Sequence, residues 1–139
     1  MTGRYLLDTN VLSEPLRPAP DQKVLDRLRR HHDELATAAV VWHELWFGCR
    51  RLPDSDKRRA IEEYLTRVVA PSLAILSYDE RAAEWHAVER ARLTRAGKTP
   101  AFADGQIAAI AATQDLILVS FNRADYTDFR DLTVEDWRR

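Results

Sequence analysis

Short apolar runs alternate along this chain with longer stretches in which apolar residues recur every three or four positions. The first run, Tyr5-Leu6-Leu7, stops abruptly at Asp8 and gives way to Thr9 and Asn10. It reads as a buried strand with Asp8 at its carboxyl end, where ligands bind in open α/β sheets. The plainer alternative is that Asp8 only caps a helix opening near Val11. Pro15, Pro18 and Pro20 end that short helix in a surface turn. Asp21 then caps a helix with Val24, Leu25 and Leu28 inward and Arg27, Arg29 and Arg30 outward, closed by His31 and His32.

Leu35 to Ala38 is a candidate second strand, and Val40 to Arg51 turns helical. Val41, Leu45 and Gly48 or Cys49 share a face of that helix, with Glu44 on the adjoining one. Pro53-Asp54 breaks it and caps the next helix, which runs to about Val69 with Ile61, Leu65 and Val68 as its stripe. Pro71 ends that helix, and Leu73 to Leu76 reads as a third strand. Ser77-Tyr78-Asp79-Glu80 has the form of a capping box opening a long helix, with Ala82, Trp85, Val88 and Leu93 inward and Gly97 as its stop. A further helix spans about Phe102 to Gln114, with Ile107, Ile110 and Ala111 buried and Asp104 in its first turn. Ile117 to Ser120 is a buried strand. Asn122, Asp125 and Asp128 crowd the loop after it, and the chain finishes through Leu132 to Trp137. Strands alternating with helices predict an α/β fold with a mostly parallel central sheet and helices on both faces.

A chain of 139 residues suits one domain with a proper core. Its 45% hydrophobic and 31% charged residues are those of an ordinary globular protein. No apolar run reaches the ~18 residues of a membrane span. The N-terminus lacks a signal-peptide pattern, which leaves the cytoplasm as the default expectation. The single Cys49 permits neither an internal disulfide nor a cysteine metal cage, and is expected to be buried. A net charge of −1 means that any attraction for phosphate must be local. Two basic tracts offer such a place: Arg50 to Arg59, and Arg90 to Lys98. Arg50, Arg51, Arg92, Arg95 and Lys98 are the candidate contacts, unless both tracts are merely solvated helix faces.

Four acids depart from what their elements want: Asp8, Glu44, Asp104 and Asp125. If they converge at the strand ends they repel, by roughly 3 kcal/mol per pair at 5 Å and an effective dielectric near 20. Either some take up protons or Mg²⁺ or Mn²⁺ joins them, since hard oxygen donors suit those ions and no His/Cys cluster favours zinc. On that reading, Asp8→Asn or Asp104→Asn raises the stability of the metal-free protein. Singly, each acid also has an ordinary explanation: Asp104 stabilises a helix start, Glu44 faces solvent, Asp125 sits in a turn.

Taken together these residues resemble the PIN-domain nucleases, and within them the VapC/FitB-like toxins of type II toxin–antitoxin modules. The matching pieces are Leu6-Leu7-Asp8-Thr9-Asn10-Val11-Leu12-Ser13, Glu44-Leu45 with Gly48, Asp104 before Ile107-Ala108-Ala109, and Leu118-Val119-Ser120 with Asn122 and Asp125-Tyr126. They are collinear and span nearly the whole chain. The resemblance implies a PIN-like α/β/α sandwich and a metal site of Asp8, Glu44 and Asp104, with Asp125 as the fourth acid. It makes Thr9, Asn10, Ser120 and Asn122 supporting polar residues. It further implies a Mg²⁺- or Mn²⁺-dependent endoribonuclease, homodimeric and silenced by a cognate VapB-like or FitA-like antitoxin. Ser120 stands where threonine is frequent, and Tyr126 where phenylalanine is frequent. A catalytically silent PIN-like binding module and an aspartate-based phosphohydrolase are the alternatives. The latter usually wants a second aspartate two positions after Asp8, where Asn10 stands.

Overall fold

The computed structural model describes residues 3–139. Five parallel strands form one sheet in the order β3-β2-β1-β4-β5: β1 (Tyr5–Leu7), β2 (Leu35–Ala38), β3 (Ala74–Leu76), β4 (Ile117–Val119) and β5 (Val134–Glu135). β1 lies at the centre with all three residues buried, as a continuous apolar run in a parallel sheet requires. The chain moves outward from β1 to β2 and β3, then returns across to β4 on the other side. The strand order therefore reverses between β1 and β4, the kind of switch point outside which α/β sheets bind ligands. Asp8 and Ser120 are the first residues past these two strands. The ladder carries on through them, since Asp8 N–H donates to Val119 O and Ser120 N–H to Glu135 O.

Helices flank the sheet: α1 (Thr9–Ser13), α2 (Gln22–Arg30), α3 (Ala39–Arg50), α4 (Asp56–Tyr64), α5 (Ala70–Ser72), α6 (Glu80–Arg95) and α7 (Phe102–Thr113). Most lie where the apolar period puts them. Asp21 caps α2 by accepting from Lys23 and Val24 N–H, and Val24 is fully buried. Val41, Leu45 and Cys49 are the buried stripe of α3. Gly97, at φ +75°, ends α6: its own N–H donates to Thr94 O, and Lys98 N–H reaches back to Leu93 O.

Local chemistry corrects several boundaries. Ser55, and not Asp54, caps α4 by accepting from Arg58 N–H, while Asp54 pairs with Arg59. Between α4 and α5 the chain makes a π-helical turn at Leu65–Val69, just before Pro71. The wider turn brings residues four apart into line, so Leu65 and Val69 are buried while Val68 is 52% exposed. Pro71 stands inside the last short helix, one residue before its end. Asp79 alone caps α6, accepting from Ala82 N–H, so the box beginning at Ser77 does not form. The inward stripe of α6 is Ala82, His86, Glu89 and Leu93, and Val88 is two-thirds exposed. Burying Glu89 is tolerable because Arg92 grips both its oxygens and Arg130 N–H donates to one of them. α7 buries Gly105 and the whole run Ile107 to Ala111, a wider face than its predicted stripe. The two-residue β5 is too short to leave a period and lies in the closing segment Leu132 to Trp137, to which the sequence pattern assigns no element. No helix among the described residues is long and apolar enough to cross a membrane.

α6 and α7 approach closely because residue 105 is glycine. A Cβ there would meet His86 Nε2 at 2.1 Å, a distance no contact survives. Gly105→Ala should lower unfolding stability by about 1–3 kcal/mol in urea titration. Combined with His86→Ala, part of that loss should return as a favourable coupling between the two sites.

Candidate functional site

Asp8 is 5% exposed, and three donors converge on it. Thr9 N–H reaches Oδ1 at 2.8 Å, while the Ser120 and Tyr126 hydroxyls reach Oδ2 at 2.8 and 3.1 Å. Asp8 does cap α1, but it also serves as a hub between the ends of β1 and β4 and the following loop. Ser120 is held for this task, because its hydroxyl accepts from Asn122 N–H at 3.0 Å and is left to donate to Asp8. The Thr9 hydroxyl donates to Glu44 Oε1 at 2.7 Å across 35 residues of sequence, which ties α1 to α3. Thr37, at the end of β2, closes the neighbouring strand by donating to Leu7 O at 2.8 Å.

Asp104, in the first turn of α7, faces the same place. Tyr126 Oη stands 3.5 Å from Asp104 Oδ1 as well as 3.1 Å from Asp8. A phenol has one proton, so the shorter contact takes it. Burial pushes the Asp104 carboxyl up to about 6, and Asp125, Asp8 and Glu44 add to the rise in that order. The other three predicted acids therefore all lie within electrostatic reach of Asp104. Burial and the carboxylates beside it also push the Tyr126 phenol upward, so it remains a donor at neutral pH.

The contrast with the other buried acids is instructive. Glu14, Glu89 and Asp136 are each paired with an arginine: Arg17, Arg92 and Arg138. Among the described residues, Asp8, Glu44, Asp104 and Asp125 have no basic partner in any ion pair. Nor do any three His, Cys, Asp or Glu side chains among those residues draw close enough to hold one ion without moving. Uncompensated carboxylates stay apart for the reason they repel. The donor set is oxygen only, its charge is unbalanced, and Asp104 is forced toward protonation. Those are the properties of a place suited to a hard divalent cation.

Two hollows flank the acids. One, of about 310 Å³, is lined by Asp104, Asp125, Lys98, Thr99 and Asp128. The other, of about 580 Å³, is lined by Glu44, Phe47, Arg51, Phe102 and Gln106. Of the candidate phosphate contacts, Arg92 is engaged with Glu89 and with Asp128 O, Lys98 lies 3.7 Å from Asp128, and Arg50 lies 3.7 Å from Glu62. Arg51 lines the second hollow with its guanidinium over Phe47. Arg95 is exposed at the end of α6. Asn10 is half-buried in α1, and Asn122 contributes its backbone N–H rather than its amide. Sequence reasoning named Tyr126 only as a departure from a common phenylalanine. An aromatic beside Asp125 gives no signal that its hydroxyl points at Asp8.

Comparison with known proteins agrees with this geometry. The PIN-domain family model matches residues 5–132. The chain is 37% identical to Toxin FitB of Neisseria gonorrhoeae over 134 residues, covering 89% of this chain and 95% of that protein. The chain therefore belongs to the PIN-domain family. Ribonuclease VapC2 of Haemophilus influenzae is 29% identical over 135 residues, covering 96% of this chain and 98% of that protein. The crystal structure of FitAcB from Neisseria gonorrhoeae superposes with a TM-score of 0.88 at 32% identity, covering 96% of this chain and 97% of that one. Toxins and ribonucleases of the FitB and VapC kind are thus what the chain is similar to over almost its full length.

The hub also separates two acids that the sequence treats alike. Because the folded Asp104 carboxyl titrates above its ordinary value of 3.8, its ionisation opposes folding. That penalty is absent below pH 3.8 and complete once the pH has passed about 6. In EDTA, Asp104→Asn should stabilise the protein at pH 7.5 by about 1–2 kcal/mol, after allowing for solvent screening of a half-buried group. The gain should vanish below pH 4. Asp8→Asn should instead destabilise by about 1–3 kcal/mol, because its amide turns a donor toward donors. Urea titrations across pH check both.

Proposed function

We propose that this protein is a metal-dependent endoribonuclease and the toxin of a type II toxin–antitoxin module. The observation that carries the reading is a set of four carboxylates with no basic partner among the described residues, three of them acting on Asp104, at the switch point of a PIN-domain sheet. Relatives that carry the names toxin and ribonuclease over most of their length support it. On this reading Asp8, Glu44 and Asp104 hold Mg²⁺ or Mn²⁺, and Asp125 adds a further oxygen on the exposed side. When bound, such an ion lowers the pKa of a coordinated water and offsets charge on the scissile phosphate.

The protein's own residues do the positioning. Thr9 N–H, Ser120 and Tyr126 fix the Asp8 carboxylate, with two of the three donors on Oδ2, so Oδ1 is the less encumbered oxygen. The Thr9 hydroxyl ties Glu44 to the residue next to Asp8. No histidine serves as base: His86 is buried against Tyr78, and His43 stacks on Phe47 at the exposed face of α3. The assembly in the cell would be a homodimer held silent by a cognate VapB-like or FitA-like antitoxin.

Wild-type protein freed of antitoxin should cleave RNA in Mg²⁺ or Mn²⁺ and not in EDTA, with Mg²⁺ raising its Tm. Asp8→Asn, Glu44→Gln and Asp104→Asn should each cut cleavage at least about a hundredfold and flatten the Mg²⁺ response, as loss of a metal ligand or its support does. Metal-independent cleavage, or full activity in Asp104→Asn, would rule the reading out.

A further inference from the structure

Two exposed phenylalanines flank the acids, and both carry an arginine. Phe47, one turn beyond Glu44 on α3, is 59% exposed, with the Arg51 guanidinium carbon 5.6 Å from its ring centroid. Phe102, two residues before Asp104, is 51% exposed, with that of Arg90 at 5.3 Å. Phe47, Phe102, Arg51 and Glu44 line the same groove of about 580 Å³. Each ring is backed by a histidine, Phe47 by a parallel His43 at 6.2 Å and Phe102 by a tilted His86 at 4.9 Å. Each ring, with a histidine and a guanidinium against it, still leaves about half its surface open. Among the described residues neither Arg51 nor Arg90 has a carboxylate partner, whereas Arg50, Arg58, Arg59 and Arg92 nearby all do.

Resting on the ribonuclease reading, we propose that this groove is a base-stacking subsite: unpaired nucleobases next to the scissile phosphate lie on Phe47 and Phe102, and Arg51 and Arg90 bind the flanking phosphates. The chemistry fits single-stranded RNA. Aromatic faces accept any base once it is unstacked, and free guanidiniums pair with phosphate oxygens. A duplex keeps its bases inside and could not use the rings. RNA brings the anions with which the two guanidiniums can pair. The groove also explains how a chain of net charge −1 can attract a polyanion locally.

The test is binding of a fluorescent, mixed-sequence single-stranded oligoribonucleotide in EDTA, where cleavage is suppressed, beside the same sequence annealed as a duplex. Phe47→Ala and Phe102→Ala should each weaken single-strand binding about tenfold or more and leave duplex binding unchanged. Phe102→Tyr should restore it. An abasic oligoribonucleotide should bind wild type as weakly as the intact strand binds Phe102→Ala. Arg51→Gln should weaken both RNAs and lower the salt dependence of binding. Wild-type single-strand affinity in both alanine variants would overturn the proposal, as would their losing only self-association or antitoxin capture, which would make the groove a protein interface. The nuclease reading fails separately: stacking losses in a protein that never cleaves in Mg²⁺ would leave the subsite standing and remove the enzyme.

Discussion

Carboxylates near one another around a half-buried hollow repel, and what fixes two of them here, Asp8 and Glu44, is a set of neutral donors. Thr9, Ser120 and Tyr126 spend their hydroxyl protons on Glu44 and Asp8, and one backbone N–H adds to the hold on Asp8. Neutral donors fix the position of a negative group without cancelling its charge. A salt bridge would do both, and the protein uses salt bridges elsewhere: the Glu89 and Asp136 carboxyls are lowered from their ordinary values because arginines donate to them. At the acid cluster it withholds them, and Asp104 is pushed the opposite way. That difference separates acids that hold the fold from acids kept available.

The sheet makes this arrangement possible. Reversal of strand order between β1 and β4 leaves a crevice beyond their carboxyl ends, and Asp8 and Ser120 extend their two ladders into it. α3 brings Glu44 and α7 brings Asp104. The second delivery depends on α7 lying tight against α6, with Gly105 fitted to His86. Burial and then Arg90 push the His86 pKa down; the ring donates or accepts through Nδ1 with Tyr78 and leaves Nε2 without a partner among the described residues. An unsatisfied nitrogen is a cost, accepted where it fills the space below the start of α7.

Much of this could be read from residue patterns. The three-residue apolar strand Tyr5–Leu7, the four-residue strand Leu35–Ala38, the helix capped by Asp21 and the helix opening at Phe102 after Pro100 follow from apolar period and local start signals alone. Errors fell where two rules compete locally. Asp54 and Ser55 both cap well, and the backbone at Ser55 won. Ser77 and Asp79 compete in the same way, and Asp79 won. Val88 is apolar and lost its inward place to Glu89, because a buried carboxylate with Arg92 and Arg130 N–H around it is satisfied and packs well. No count of apolar residues foresees that. The π turn before Pro71 moved the stripe from Val68 to Val69 for a reason of backbone geometry.

The chain by itself determined the alternation of strands and helices, the identity of the four acids, and the likeness that ties them to one family, because each rests on residue type and spacing. Only the tertiary structure decided that Asp8 accepts from three donors, that Tyr126 stands between Asp8 and Asp104, that Arg92 is committed to Glu89, and that Phe47 and Phe102 line one groove. Those facts join residues up to 118 positions apart. Sequence spacing carries information only over a few turns of helix or strand, and beyond that the direction of a side chain is fixed by packing.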